Sequence, residues 1–332
     1  MSKITIFTYA HKRPDFIEMQ YESMQKYLQC DYEFVVFNNA VDNEVQYEQI
    51  KKVCNNLNIK CVDIKLDTKM QVTQGVTNFI GNRYTTPNVA CSYPLMWSFK
   101  HYVTNEKKIC IIDSDMFFID YVDLEKLIVD KDVVYIPQYR QNHQIHYMWN
   151  AFVILNLEKN PDLKNLEWTP APIHNENMDV GALTHFYLKN KMLNFLLLEE
   201  HSIRDEINNE FGTKIHYILN GNINYHLDFD KKMNLVDFKH TGGQKFNEMK
   251  SFPYEKDYCS YDVYTSDMVK KILSLIKEKK ANLPDPYHIA FIAEAGSDKH
   301  FILHYKSGSN YLSFTTETYN KLKTIAVKKI LS

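Results

Sequence analysis

Lys108-Ile-Cys-Ile-Ile-Asp113-Ser-Asp115-Met-Phe-Phe118 is an apolar run that stops at two carboxylates one residue apart. Ile109 to Ile112 are four consecutive apolar residues, the pattern of a strand buried on both faces of a parallel sheet. Such a strand ends at the carboxyl edge, where open α/β sheets bind ligands. In an extended segment residues i and i+2 point the same way, so Asp113 and Asp115 can reach one cation, directly or through a phosphate. Oxygen ligands of this type suit magnesium or manganese holding a diphosphate. The spacing alone is weak evidence. It recurs in Asp130-Lys-Asp132 and Asp228-Phe-Asp230, and aspartate favours turns and helix caps in any case. Only the pair at 113 and 115 directly ends a fully apolar strand.

On the N-terminal side, the pattern predicts strands over 3–8, 32–37 and 59–64. They alternate with helices from Pro14 to about residue 28 and from about 43 to 57. Pro14 suits a first helical position, and Phe16, Ile17, Met24, Tyr27 and Leu28 recur at helical spacing. Strand–helix alternation is the signature of a parallel sheet with helices on its faces. Thr8 to Arg13, Asn38-Asn39 and Asp113 to Asp115 then meet on one edge, although they lie far apart in the chain. Residues 65–88 have no clear period and read as a long loop carrying Gly81, Arg83 and Pro87. A helix over about 89–104 leads into the Asp113 strand.

On the C-terminal side, a short helix over 124–129 and strands over 133–137 and 146–157 are expected, then a proline-containing loop over 158–177. Asp179 stands where it would cap a following helix. Strands are expected over 214–219 and 234–238, the second running into Lys239-His240-Thr241-Gly242-Gly243. From about 250 the character changes to an amphipathic helix over 264–279 and an irregular segment over 281–299. A hairpin of 301–305 with 311–315 and a last helix through Leu322 and Ile330 follow. The expected division is a large α/β domain over 1–250 and a small α+β appendage of helix and hairpin over 251–332.

With 332 residues the chain is long enough to bury a substantial core. A net charge of −2 gives no basic footprint for nucleic acid. The six cysteines form no C-x-x-C pair and read as reduced residues, three of them inside apolar patterns. The N-terminus shows no signal-peptide pattern and no run reaches the length of a membrane span, so the expectation is a cytoplasmic protein with no transmembrane segment. No G-x-G-x-x-G or G-x-x-x-x-G-K-[ST] is present, which weakens dinucleotide-fingerprint and P-loop readings.

Taken together, these motifs resemble nucleotide-sugar-dependent glycosyltransferases of the GT-A fold, a Rossmann-like, mostly parallel sheet flanked by helices. The resemblance is carried by Thr8-Tyr9-Ala10 with Arg13-Pro14, by Asn38-Asn39, and by the Asp-x-Asp of Ile112-Asp113-Ser114-Asp115. Trp149-Asn150-Ala151 resembles the strand beside the donor sugar, Asp179-Val-Gly181 the acidic opening of an acceptor-side helix, and Phe238-Lys-His240 the late histidine of the metal site. The likeness covers about residues 1–250. Ala151-Phe152 departs from it where many members have Ala-Gly.

The resemblance implies a hexose moved from a nucleoside-diphosphate sugar to a glycan or other hydroxyl acceptor, with Mn2+ or Mg2+ held by Asp113, Asp115 and His240. It implies a donor pocket lined by Thr8, Ala10, Arg13, Asn38, Asn39, Arg83, Asp113, Ser114, Asn150 and Gly242. Asp179 is implied as the catalytic carboxylate and Glu176 as the nearest alternative base. The cation would neutralise charge on the diphosphate leaving group. Trp149, Tyr93 and Trp97 are candidates for an acceptor stacking platform, set against a plain core role. Two other functions compete: a sugar nucleotidyltransferase, which usually has a glycine-rich basic loop where this chain has Tyr9-Ala-His-Lys-Arg13-Pro, and a non-catalytic glycan-binding module of the same fold.

Overall fold

A computed structural model of the chain describes residues 3–67, 79–80, 83–84, 86–140, 143–174, 176–202, 223–228, 234–240, 289–297 and 299–305. The elements in chain order begin with β1 (Ile4–Ala10), α1 (Pro14–Tyr27), β2 (Tyr32–Asn38), α2 (Glu44–Asn56) and β3 (Lys60–Asp63). A two-stranded ribbon of β4 (Phe79–Ile80) and β5 (Arg83–Tyr84) leads to α3 (Pro87–His101). Then come β6 (Lys108–Ile112), β7 (Met116–Phe118), α4 (Leu124–Ile128), β8 (Val133–Arg140) and β9 (Ile145–Asn156). The ribbon of β10 (Pro172–Ile173) and β11 (Glu176–Asn177) precedes α5 (Thr184–Asn190) and β12 (Phe195–Ser202). The last elements are β13 (Ile223–Asp228), β14 (Asn234–His240), β15 (Ile289–Glu294) and β16 (Ile302–Tyr305).

The chain divides into two compact units, Met1–Glu200 with Ile292–His304, and His201–Phe291 with Tyr305–Ser332. The first is built on a ten-stranded sheet of order β3-β2-β1-β6-β9-β8-β12-β15-β16-β7. The strands β3, β2, β1 and β6 run parallel, β9 is antiparallel to both β6 and β8, and β12 is parallel to β8. The ends of β1, β2, β6 and β12 therefore share one edge. In the second unit the described residues form the antiparallel pair β13–β14.

Period-two alternation explains why β6 is apolar throughout. Cys110 and Ile112 join one core with Ile17 and Met24 of α1, Ile50 of α2 and Leu124 of α4. Ile109 and Ile111 join the other with Val89, Tyr93 and Phe99 of α3 and with Trp168. Each such side chain, removed from water, contributes about 1.5–3 kcal/mol, so a polar residue inside this run would be strongly disfavoured. The two carboxylates come where the strand leaves the core. Lys108, at the other end, is buried and paired with Glu125.

Most expected elements of the first unit are present, with ends shifted by a few residues. Others differ. The loop over 65–88 carries the β4–β5 ribbon, and α3 starts at Pro87, capped by the Thr86 hydroxyl accepting from the Val89 amide at 3.3 Å. Helix α5 begins at Thr184, five residues beyond Asp179, which sits in the preceding turn. The strands β7 and β12 are not predicted by the pattern, and β15 lies where an irregular segment was expected. Phe195-Leu-Leu-Leu-Glu-Glu has no alternation and its leucines favour helix, so burial within the sheet overrides local preference. The strand expected over 214–219, the helices over 264–279 and near the C-terminus, and the hairpin's second strand lie outside the described residues. Among the described residues no helix is long and apolar enough to cross a membrane.

Candidate functional site

The Asp113–Met116 segment is a tight turn between β6 and β7. The Met116 amide donates to the Asp113 carbonyl at 3.1 Å, and the Asp113 amide extends the β6–β9 ladder by donating to Ala151 at 2.7 Å. From α1, the buried Gln20 side chain donates to the carbonyls of Asp113 at 2.7 Å and Met116 at 3.0 Å. Ser23, one turn further along α1, accepts from the Phe118 amide at 3.2 Å. A helix face thus clamps both ends of the turn that presents the two carboxylates.

Asp115 is buried and Asp113 half-buried. The third member of the group is His304 on β16, with a side chain 3% exposed. Its Nε2 lies 3.5 Å from Asp115 Oδ1, and its Nδ1 lies 2.9 Å from Glu200 Oε1 on β12. The Trp149 ring packs beside the imidazole at 5.3 Å between centroids. One ligand atom each from Asp113, Asp115 and His304 lie within 4.8 Å of one another.

The electrostatics follow from this crowding. Loss of water pushes the Asp113 carboxyl up to about 7, helped by the charge of Asp115 and more weakly of Asp179, with His304 pulling the other way. For His304, burial alone would lower the value. Hydrogen bonds to Asp115 and Glu200, and their charges, outweigh it and raise the imidazole to about 9. The group therefore holds protons near neutrality that a cation would displace. Two carboxylate oxygens and an imidazole nitrogen are a donor set that fits Mn2+ or Mg2+.

Around this centre the other expected residues fall as follows. Thr8 is buried at the end of β1, and its hydroxyl has no hydrogen-bond partner among the described residues. Ala10 is buried and its carbonyl accepts from the Asn39 amide at 2.7 Å. Arg13, at positive φ, is paired with Asp15 and stacked on Phe16 at 3.9 Å from the ring centre. The Asn38 side chain donates to the Tyr47 carbonyl at 3.0 Å, and Asn39 donates to Ala90 at 2.9 Å while accepting from the Tyr84 hydroxyl. Both amides hold α2 and α3 to the sheet edge. Ser114 is half-buried within the turn, and Asn150 is buried on β9 next to Trp149.

Asp179 is exposed, its Oδ1 accepting from the Val180 amide at 2.8 Å, and its charge reaches Asp113. The turn is fixed by Gly181, at φ 91°, where a Cβ would stand 2.3 Å from the Met148 carbonyl oxygen. Glu176 lies on β11 and Arg83 on β5, with side chains outside the described residues; so does that of His240, on β14 in the second unit. Gly242 lies outside the described residues altogether. Of the aromatic candidates, Tyr93 is core and donates to the Lys65 carbonyl at 2.8 Å, and Trp97 packs on His101 at 5.0 Å. Asp132, from another Asp-x-Asp, accepts from the Asn194 amide and so anchors a loop.

Three residues of the site are absent from the sequence-based set: His304, Glu200 and Gln20. His304 sits in Phe301-Ile-Leu-His304-Tyr, an apolar strand interrupted by one titratable group, which was the available signal.

Among curated proteins, none matches this chain. Two solved structures similar to it are an active-site mutant of LgtC and the galactosyltransferase LgtC in complex with donor and acceptor sugar analogs. Each is 13% identical, with a TM-score of 0.32, over 47% of this chain and 58% of that one. The chain thus spans little more than half the length of those proteins. A family model matches residues 100–324, more than half of the sequence and including Asp113, Asp115, Glu200 and His304, and the chain belongs to that family, the family of unknown function DUF6492.

Proposed function

We propose that the protein is a metal-dependent glycosyltransferase that moves a hexose from a nucleoside-diphosphate sugar to a hydroxyl of a glycan or other acceptor. The observation that carries this is the convergence of Asp113, Asp115 and His304 at the end of β6, beside the parallel strands β1 and β2 of a mixed sheet. Ligands of open α/β sheets bind at that edge. Bound there, Mn2+ or Mg2+ offsets negative charge developing on a diphosphate leaving group.

The chain's own groups divide the remaining work. Asp113, Asp115 and His304 hold the cation. The described geometry supports His304 for the histidine of this set, and the pair of variants H304A and H240A separates the two candidates. The backbone of Thr8 and Ala10, with Arg13, Asn38, Asn39, Arg83 and Ser114, borders the nucleotide, and Asn150 meets the donor sugar. Asp179, exposed yet within electrostatic reach of Asp113, takes the proton of the acceptor hydroxyl if the reaction inverts. If it retains, Asp179 binds sugar hydroxyls, and Glu176 is the alternative base.

Incubating the protein with Mn2+ and a panel of nucleotide sugars tests the assignment. Slow release of nucleoside diphosphate from one donor, lost in D115A, is expected. Donor binding without release points to a glycan-binding module, and pyrophosphate formation from a nucleoside triphosphate and a sugar phosphate points to a nucleotidyltransferase.

A further inference from the structure

Resting on the assignment of Asp113, Asp115 and His304 to a cation, we propose that Glu200 is the positioning residue that holds His304 with Nδ1–H toward its carboxylate and Nε2 toward Asp115 and the ion. Successive residues of a strand face opposite ways. On β12, Leu198 points into the core shared with Ile302, so Glu200 continues that face while Glu199 is exposed and accepts from the Gly296 amide at 3.3 Å. On β16, Ile302 faces the same core and His304 continues its face. Two apolar ladders thus end in a carboxylate and an imidazole 2.9 Å apart.

Glu200 and His304 have side chains 13% and 3% exposed. Removing such groups from water costs several kcal/mol, and an apolar pair in their place is often neutral or stabilising. Stability alone therefore gives weak grounds for this arrangement, whereas ligand orientation gives a specific one. A histidine has two nitrogens, and which one is free to bind is fixed by the hydrogen bond the other makes. Glu200 accepts at Nδ1 and leaves Nε2 as the nitrogen on the Asp115 side, 3.5 Å from Oδ1.

The test is Mn2+ binding by the full chain without nucleotide, followed by the free-ion resonance signal in parent, E200A, E200Q and D115A proteins of matched thermal stability. Loss of an outer carboxylate typically weakens metal binding about 10–100-fold, and E200A is expected in that range. E200Q keeps an acceptor for Nδ1–H and is expected to restore most of the affinity, which a merely structural role would not require. Parent binding with E200A unchanged overturns the role of Glu200 alone. No binding by the parent overturns the cation assignment itself. If E200A does not fold, E200Q with a 15N measurement of His304 decides: retention of Nδ1–H in E200Q supports the role, and a proton on Nε2 in the neutral parent ring overturns it.

Discussion

At the scale of the residue, the site is a competition between protons and a cation. In the metal-free protein Asp113 titrates near 7 and His304 near 9, the first raised mainly by burial, the second by Asp115 and Glu200 against burial. Both must lose protons to bind a cation. Raising the pH removes that competition, so Mn2+ affinity should climb from pH 6 to pH 8. The slope should be about tenfold per unit where only His304 is protonated and steeper below 7, where Asp113 is protonated as well. Calorimetry in two buffers of different ionisation enthalpy checks the proton release, and an affinity flat across this window would remove these groups from the ion. Asp179 belongs to the same scale. Its carboxylate is exposed and makes one local hydrogen bond, so D179N should leave fold and donor affinity nearly intact while lowering turnover at least 100-fold, the usual range for a lost general base. Equal losses in donor affinity and turnover would mark it as a binding group.

At the scale of the element, α1 is more than a sheet-covering helix. Its apolar face carries Ile17 and Met24 into the core, and on the same side Gln20 and Ser23 reach over to the β6–β7 turn. Gln20 satisfies two carbonyls that the turn geometry leaves pointing inward. Replacing it with leucine leaves both without that donor in a buried setting, which costs about 1–3 kcal/mol. Q20L should therefore lower the unfolding free energy obtained from denaturant titration by that amount and weaken Mn2+ binding without touching any ligand. Unchanged Mn2+ affinity at reduced stability would show that the turn holds its shape without the clamp. The turn itself was legible: Ile109 to Ile112 match the pattern of a doubly buried strand, and carboxylates directly after such a strand stand at the sheet edge. The clamp was not, because a glutamine inside an amphipathic helix reads as a solvent-facing residue until the turn it meets is known. Asn38 and Asn39 show the converse. Their place after β2 was legible, but their amides close internal contacts with Tyr47, Ala90 and Tyr84.

At the scale of the whole molecule, the strand–helix alternation from β1 to β6 was readable because each element carries its own periodicity. What escaped was the arrangement of the far side of the sheet: the strand expected over 301–305 is present as β16, but its place beside β7 was not readable. The strands β12, β15 and β16 take their register from sheet neighbours rather than from any local signal, and they bring Glu200 and His304 to the same edge at which β6 ends. Sequence order hides this, since His304 lies almost 190 residues after Asp115. The late strands are therefore part of the central sheet in the order β12-β15-β16-β7. Ending the chain at residue 288 would remove β15 and β16, leave β12 and β7 without those neighbours, and bare the apolar surface that Phe291, Ile292, Ile302 and Leu303 cover. Exposed strand edges of that kind associate between chains. The shortened protein should lose its cooperative urea transition and aggregate, followed by circular dichroism and light scattering, even though every residue of the Asp-x-Asp turn is still present. A monomeric product with the parent's unfolding midpoint would mean that β15 and β16 only decorate a sheet complete without them.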